Sequence, residues 1–381
     1  MNRNILYLTV MENTFGNNIH KNQIYPILAS VPNIHGLFIN PIIEVSRKRI
    51  GIIENRNKIK NATLIYSPFP TYFFFSQWFI LPWIIIWSCV PLILICIKKR
   101  IKIIHARNLI SGICAIIVGK IIGASVVVDV RGIHSDEGVL IGRWKHKDIS
   151  YRFHKLLETW ILNSASEIIC ISPNLCRYVS LLAPNARPKF IPAMVDPNRI
   201  YYSKSLHIEA RMQLQIAVDD LCLVYTGSLG AWHHIDALRK QIITCSDSLP
   251  VKKVVVIILT NENPNDILSQ LKLNKRVIVR SVAPDEVNYY LNAADVGLLP
   301  ARPIETESHR MVFDVMISSK AEEYLCTGLA VYAHSSITYF QNKPHARKKS
   351  DDRYAKSLFY QNEFANDKVI DKIQKVYEVI R

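Results

Sequence analysis

The sequence predicts an α/β protein built from two successive open, mainly parallel sheets with helices on both faces. Three observations predict it. Short apolar runs of strand length alternate with helix-length amphipathic segments along nearly the whole chain. A proline-rich break, with Pro184, Pro188, Pro192 and Pro197 close together, interrupts that alternation near the middle. The 381 residues are enough for two domains of ordinary size. The boundary is placed at Asp196, giving domains over 1–196 and 197–381.

Each element follows from its local pattern. Ile5 to Val10 reads as the first strand, and Glu12 to Asn18 as a polar loop containing Gly16. Ile24, Ile27, Leu28 and Val31 recur at helical spacing. Ile101 to His105 is a second strand-length run, Leu109 to Ile122 a helix ended by Gly123, and Val-rich Ser125 to Asp129 a central strand. Arg143 to Asn163 patterns as a long amphipathic helix and Glu167 to Ile171 as a strand. Ser172-Pro173 opens a helix with proline at its first position. After the break, Leu221 to Tyr225 is a strand, Thr226-Gly227-Ser228-Leu229-Gly230 a loop, and Trp232 to Ile243 a helix. Val254 to Leu259, Val277 to Val279 and Val296 to Leu299 are further strands. Asp285 to Ala293 is helical, and Pro300 to Ser308 is a loop. Ser319 followed by Glu322 reads as a capping box, so a helix is expected from Lys320 to Gly328, with Leu329 to Ala333 as a buried strand. A last helix, about Asp367 to Ile380, is expected to pack back across the linker.

Composition narrows the function. Hydrophobic residues are 49% of the chain and charged residues 20%, which excludes disorder. A formal net charge of +16 implies an anionic partner: nucleic acid, a phospholipid surface or phosphorylated substrates. The eight cysteines show no Cys-x-x-Cys pair and no zinc spacing, so they read as reduced core residues of a cytoplasmic protein. Met1 to Met11 is too short an apolar run for a secretory signal. Phe73 to Ile97 lacks charge and is long enough to span a bilayer, and Lys98, Lys99, Arg100 and Lys102 follow at once. Pro82 and Pro91 interrupt it, and a span would separate the first strand from its partners. The expectation is one or two apolar helices inserted into one leaflet, with the basic cluster on anionic headgroups. Arg143-Trp144-Lys145-His146-Lys147 is read as part of a headgroup-facing helix, because no nucleic-acid module surrounds it.

Chemistry is expected at the carboxyl ends of the strands, where open α/β sheets bind ligands. Gly16 follows the first strand, where it either lets backbone approach a ligand or makes a turn. Asp129 to Glu137 crowds Asp129, Arg131, His134, Asp136 and Glu137 beyond a central strand; a site is favoured over an ion-pair network, though Asp136 and Glu137 also suit a helix cap. Gly227 to Gly230 resembles a phosphate-cradling turn. Lys320 stands in a first helical turn, where the macrodipole disfavours a cation, and an anionic ligand would reconcile the two. Glu323, one face-step on, suits a sugar diol. Arg302 is carried by a nearby loop. No Asp-x-Asp occurs, so a leaving diphosphate would be met by Lys, Arg and helix dipoles rather than a metal clamp.

These motifs resemble the retaining glycosyltransferases of family 4, with the architecture called GT-B: two Rossmann-like, doubly wound domains facing a central cleft. The matches are His105-Ala106-Arg107, Asp129-Val130-Arg131-Gly132, Tyr225 to Trp232, Ala294 to Leu298, and Lys320 to Leu329. The resemblance implies that Lys320 and Arg302 bind the donor diphosphate and Glu323 the nucleotide ribose, that Gly227 and Ser228 line the donor pocket, and that Gly16 approaches the donor sugar. It places Arg131, His105 and His134 on the acceptor or catalytic side. It implies a nucleotide-sugar donor, a lipid-linked or saccharide acceptor of bacterial surface polysaccharide synthesis, retention of configuration, no metal or other cofactor, no nucleic acid, and a peripheral place on the inner face of the cytoplasmic membrane. Two departures stand out. Val315 occupies the position of the first of two glutamates eight residues apart, and no basic residue follows the glycine loop. A sugar-nucleotide epimerase of the same fold and a non-catalytic membrane-associated binding protein are the alternatives.

Overall fold

The computed structural model describes residues 3–12, 20–41, 61–67, 80–229, 234–247, 253–335, 337, 339 and 352–380. The chain divides into two compact units, Met1–Pro192 with Val369–Arg381, and Ala193–Lys368.

Among the described residues, the first unit holds one parallel sheet in the order β3-β2-β1-β4-β5-β6-β7. Its strands are β1 (Asn4–Val10), β2 (Ile34–Pro41), β3 (Ala62–Ser67), β4 (Ile101–Arg107), β5 (Ser125–Val130), β6 (Glu167–Cys170) and β7 (Lys189–Phe190). β1, β4 and β5 read as near-continuous apolar runs because helices cover both faces and their side chains are buried. β2 and β3 escaped the sequence reading; Gly36 and Pro41 disguise the first as a turn. The helix Leu109–Ile122 starts where the Asn108 side chain accepts from the Ser111 amide, and stops at Gly123, whose φ of 68° no branched residue tolerates well.

Among the described residues the apolar segment holds one helix, Leu81–Lys98, long and apolar enough by length and composition to cross a membrane; residues 73–79 lie outside them. Pro82 sits in its first turn and Pro91 inside it. Its two faces differ. Leu81, Ile84, Ser88, Leu92 and Cys96 are buried in the core shared with the helix Leu109–Ile122, while Trp83, Ile86, Trp87, Val90, Leu94 and Ile97 are exposed. The exposed set recurs at steps of three and four, so it is one stripe. Lys98, Lys99, Arg100 and Lys102, all exposed, continue from its end.

The second unit holds a parallel sheet in the order β10-β9-β8-β11-β12. Its strands are β8 (Leu221–Thr226), β9 (Val254–Leu259), β10 (Arg276–Arg280), β11 (Val296–Leu299) and β12 (Ala330–Ala333). Asp295, of the Ala294 to Leu298 motif, is structural: its Oδ2 accepts from Arg211 and from the Cys222 amide, pinning β11 beside β8. The final helix is Asn366–Val379, and its residues from Val369 onward belong to the first unit.

Three expectations are corrected. The Ser319/Glu322 capping box does not form: the helix runs Ser319–Cys326, its N-cap Ser318 makes no side-chain bond, and the Glu322 carboxylate instead accepts from the Ala193 amide. Burial wins over local capping here, since Glu322 is 1% exposed. Arg143 to Lys147 is not helical; the helix begins at Ile149, because the Trp144 indole is buried against His154 and donates to the Ser135 carbonyl. The stretch Pro300 to Ser308 is shortened by a helix Glu307–Val315 capped by Thr306.

Two glycines with the same backbone angle separate strain from crowding. Gly123→Ala meets nothing within 4 Å, so only its positive φ is penalised. At Gly328, φ is 69° and an added Cβ would lie 2.4 Å from the Arg353 carbonyl oxygen. Urea titration should show a loss of about 1–2 kcal/mol for Gly123→Ala and about 2–4 kcal/mol for Gly328→Ala. Equal losses would contradict this packing.

Candidate functional site

In the second unit the site is built at the carboxyl end of β8. The strand delivers Tyr225 and Thr226 to a turn at Gly227, whose φ is 110° and whose amide donates to the Leu259 carbonyl at 2.8 Å. The helix Ser319–Cys326 is fixed to this turn by Tyr324. The Tyr324 hydroxyl accepts from the Thr226 amide at 2.9 Å, and its ring crosses β11 where Gly297 has no side chain; a Cβ there would lie 2.2 Å from the ring. That anchoring sets Lys320 in the first helical turn, facing Gly227.

Lys320 is half-buried. Its Nζ donates to the Tyr225 hydroxyl at 3.2 Å and lies 4.4 Å from the centre of that ring. The Tyr225 hydroxyl in turn donates to the Ser228 carbonyl at 2.6 Å. A Cβ on Gly227 would approach Nζ to 3.1 Å, so the glycine leaves the ammonium its room. Desolvation lowers the lysine pKa to about 7 from its usual 10.5, with Glu323 opposing the fall. A cation held in a first helical turn with so little counter-charge is stabilised by any anion that arrives.

Glu323 is held by Arg199, whose guanidinium donates to Oε1 at 2.7 Å and to the Pro284 carbonyl at 3.1 Å. Arg302 is half-buried just beyond β11, in the same unit. Ser228 contributes its carbonyl to the tyrosine contact. Leu229 is tied through its amide to Glu262 Oε1 at 2.7 Å, which fixes the loop as far as it is described. Gly230, Ala231, Trp232 and His233 lie outside the described residues, and so does Gly16.

In the first unit, polar groups gather at the carboxyl ends of β4 and β5. Asp129 is fully buried. Its Oδ2 accepts from Arg131 at 2.7 Å and has Arg107 at 3.7 Å and His105 at 3.6 Å. Burial alone would raise its pKa, but Arg131, the His105 ring and Arg107 hold it well below the usual carboxylate range. His105 is buried in β4 between Tyr7, stacked at 4.5 Å, and the Tyr377 hydroxyl, 2.6 Å from Nδ1. Burial lowers its pKa despite Asp129, so it is a neutral ring. A cavity of about 220 Å³ opens beside this group, lined by Asp129, Arg131, His134 and Glu137 among others; His105 does not line it. Burial, then His154 and Arg143, lowers the His134 pKa to about 3, which makes it neutral at physiological pH. Among the described residues no three His, Cys, Asp or Glu side chains converge as a metal set.

Thus Lys320, Glu323, Gly227, Ser228 and Arg302 fall in one unit, and Arg131, His105 and His134 in the other. Sequence reasoning gave no role to Tyr225, Tyr324, Arg199 and Glu262. Tyr225 could have been flagged as the last large residue before the glycine turn. Arg199 is hidden in the proline-rich linker.

No protein-family profile matches the sequence, and no curated protein matches it. Solved structures do. A sucrose-phosphate synthase from Thermosynechococcus elongatus superposes with TM-score 0.68 at 14% identity, over 99% of this chain and 98% of that one. HepE of Anabaena in complex with UDP gives 0.61 at 12%, over 98% and 99%. A Listeria monocytogenes protein assigned as a UDP-N-acetylglucosamine 2-epimerase gives 0.53 at 8%, over 98% and 95%. These likenesses establish the GT-B fold, two Rossmann-like α/β domains.

The lowered lysine makes a prediction with a definite sign. Between about pH 7 and 10.5 the unfolded chain binds a proton at Lys320 that the fold does not, so this group's contribution to stability rises with pH across that window. The difference in unfolding free energy between the native protein and Lys320→Met, measured by urea titration, should shift in the native protein's favour from pH 7 to 10. A difference that does not vary with pH would contradict the placement.

Proposed function

We propose that this protein is a metal-independent glycosyltransferase that moves a sugar from a nucleotide-diphosphate sugar to a lipid-linked saccharide, with retention of configuration, during bacterial surface polysaccharide synthesis. The observation that carries the reading is Lys320: a half-buried ammonium in a first helical turn, opposite a positive-φ glycine turn at the carboxyl end of β8. The structural likeness to HepE in complex with UDP supports a nucleotide donor. Lys320 and Arg302 take the diphosphate, Glu323 the ribose, and the Gly16, Gly227 and Ser228 positions the sugar side. The acceptor hydroxyl attacks the anomeric carbon as the bond to diphosphate breaks, and a leaving-group oxygen takes the acceptor proton. Charge developing on the diphosphate is met by Lys320 and the helix amides, so binding raises the lysine pKa and keeps it protonated. Arg131, with His105 and His134 as neutral partners, serves the acceptor side.

The exposed apolar stripe of the helix Leu81–Lys98 and the four basic residues after it support a peripheral place on the inner face of the cytoplasmic membrane. A sugar-nucleotide epimerase is the second reading, favoured by the Listeria likeness. It leaves the stripe without a use.

Lys320→Ala and Glu323→Ala should each lower transfer from a nucleotide sugar by on the order of 100-fold or more with unchanged circular dichroism. Full activity in either would remove the donor assignment. Epimerised nucleotide sugar as the sole product would favour the second reading. On vesicles containing anionic lipid, the protein should co-sediment and be released by high salt or by Trp83→Asp with Trp87→Asp. Binding indifferent to both would contradict peripheral attachment.

A further inference from the structure

The chain carries a net charge of +16, yet the cavity beside Asp129 is acidic. Glu12, Asp129, Glu137 and Glu158 line it, against Arg131 as the one lysine or arginine among its lining residues. Arg131 is already committed to Asp129 at 2.7 Å. Arg107, behind the wall, lies 3.6 Å from Glu12 and 3.7 Å from Asp129. Lys155 stands 2.7 Å from Asp136 and 3.3 Å from Glu158. The cations here are therefore spent on carboxylates, and little positive charge is left to receive an anion.

Two further observations mark a binding surface rather than an ion-pair network. Asp129 lines the cavity with no exposure to solvent, and its Oδ1 is buried without a hydrogen-bond partner among the described residues. A buried carboxylate oxygen left unpaired calls for a donor. The Glu137 carboxyl is folded back over the loop at Gly132, where an added Cβ would lie 1.8 Å from Oε1. Any other residue at 132 would displace it. About 220 Å³ is below the roughly 300–1,000 Å³ of pockets that hold drug-sized ligands, so the space suits one small group and not a nucleotide.

We propose that this cavity receives the uncharged, hydroxyl-bearing end of the acceptor and rejects acceptors carrying phosphate or carboxylate there. The inference rests on the transferase reading and adds the substrate class of its acceptor side. A hydroxyl donates to the carboxylates that line the cavity, while an anion meets Glu12, Asp129, Glu137 and Glu158 with the nearby Arg131, Arg107 and Lys155 already paired. Glu137 sharpens the selection. Burial and the neighbouring Glu158 raise its pKa to about 7, with Asp136 adding to the rise and Arg143 opposing it; His134, His154 and Lys155 are the other titratable groups nearby. Below that pH it donates a hydrogen bond, and above it adds a charge.

The test is equilibrium binding to the full chain, by saturation-transfer NMR and calorimetry, of three mimics: an alkyl hexopyranoside, the hexuronide with the same ring, and the hexose 6-phosphate. The hexoside should bind, and both anions should bind at least ~10-fold more weakly; for the hexuronide, which is ionised throughout, the gap should widen from pH 6 to pH 8. Glu137→Gln should abolish that widening while keeping the gap at pH 6. Anions that bind as well as the hexoside, or a hexoside that does not bind, overturn the proposal; the pH dependence in the unaltered protein decides even if Glu137→Gln does not fold. Donor binding, read separately from the Lys320-dependent thermal shift with nucleotide sugars, reports on the transferase reading alone.

Discussion

The contact between the Lys320 ammonium and Tyr225 is the interaction on which the account depends. A lysine at the start of a helix faces the positive end of the macrodipole, and here burial adds to that penalty. The face of the Tyr225 ring and its hydroxyl oxygen offset part of the cost without supplying a full negative charge. The group is therefore poised: it is tolerated in the empty protein and stabilised when an anion arrives.

Everything around this contact serves to place it. β8 and β11 run parallel, so their carboxyl ends emerge on one side of the sheet. Tyr324 passes through the gap left by Gly297 and ties the helix Ser319–Cys326 to the amide of Thr226. Glu322 faces the interior and Glu323 the site, one residue apart in sequence and set to different tasks by helical periodicity. Arg199 holds Glu323 in place. In the first unit Asp129 plays the corresponding organising role, gathering Arg131, Arg107 and His105 around one carboxylate.

Much of this was legible in the sequence, and the limits were physical. The Val-rich strands and the helix Leu109–Ile122 declare themselves because burial on both faces leaves apolar runs bounded by Asn108 and Gly123. β2 did not, since Gly36 and Pro41 mimic loop composition while neighbouring strands enforce pairing. Lys320 and Glu323 stood out because the lysine opposes its local field. The capping box failed because Glu322 had a stronger use in the core. Arg199 was illegible because it acts through a partner far away in the chain; Glu137 was legible as part of a crowded strand end, but its fold-back over the missing side chain of Gly132 was not.

The central claim is that the Lys320 ammonium meets the donor diphosphate, and proton linkage tests it most directly. Calorimetric titration of UDP at pH 8, in buffers of different ionisation enthalpy, counts protons taken up on binding. With the lysine near pH 7 when empty and charged when occupied, close to one proton (~1) should be absorbed, and Lys320→Met should absorb none and bind far more weakly. Tight binding with no proton uptake, unchanged in Lys320→Met, would contradict the account.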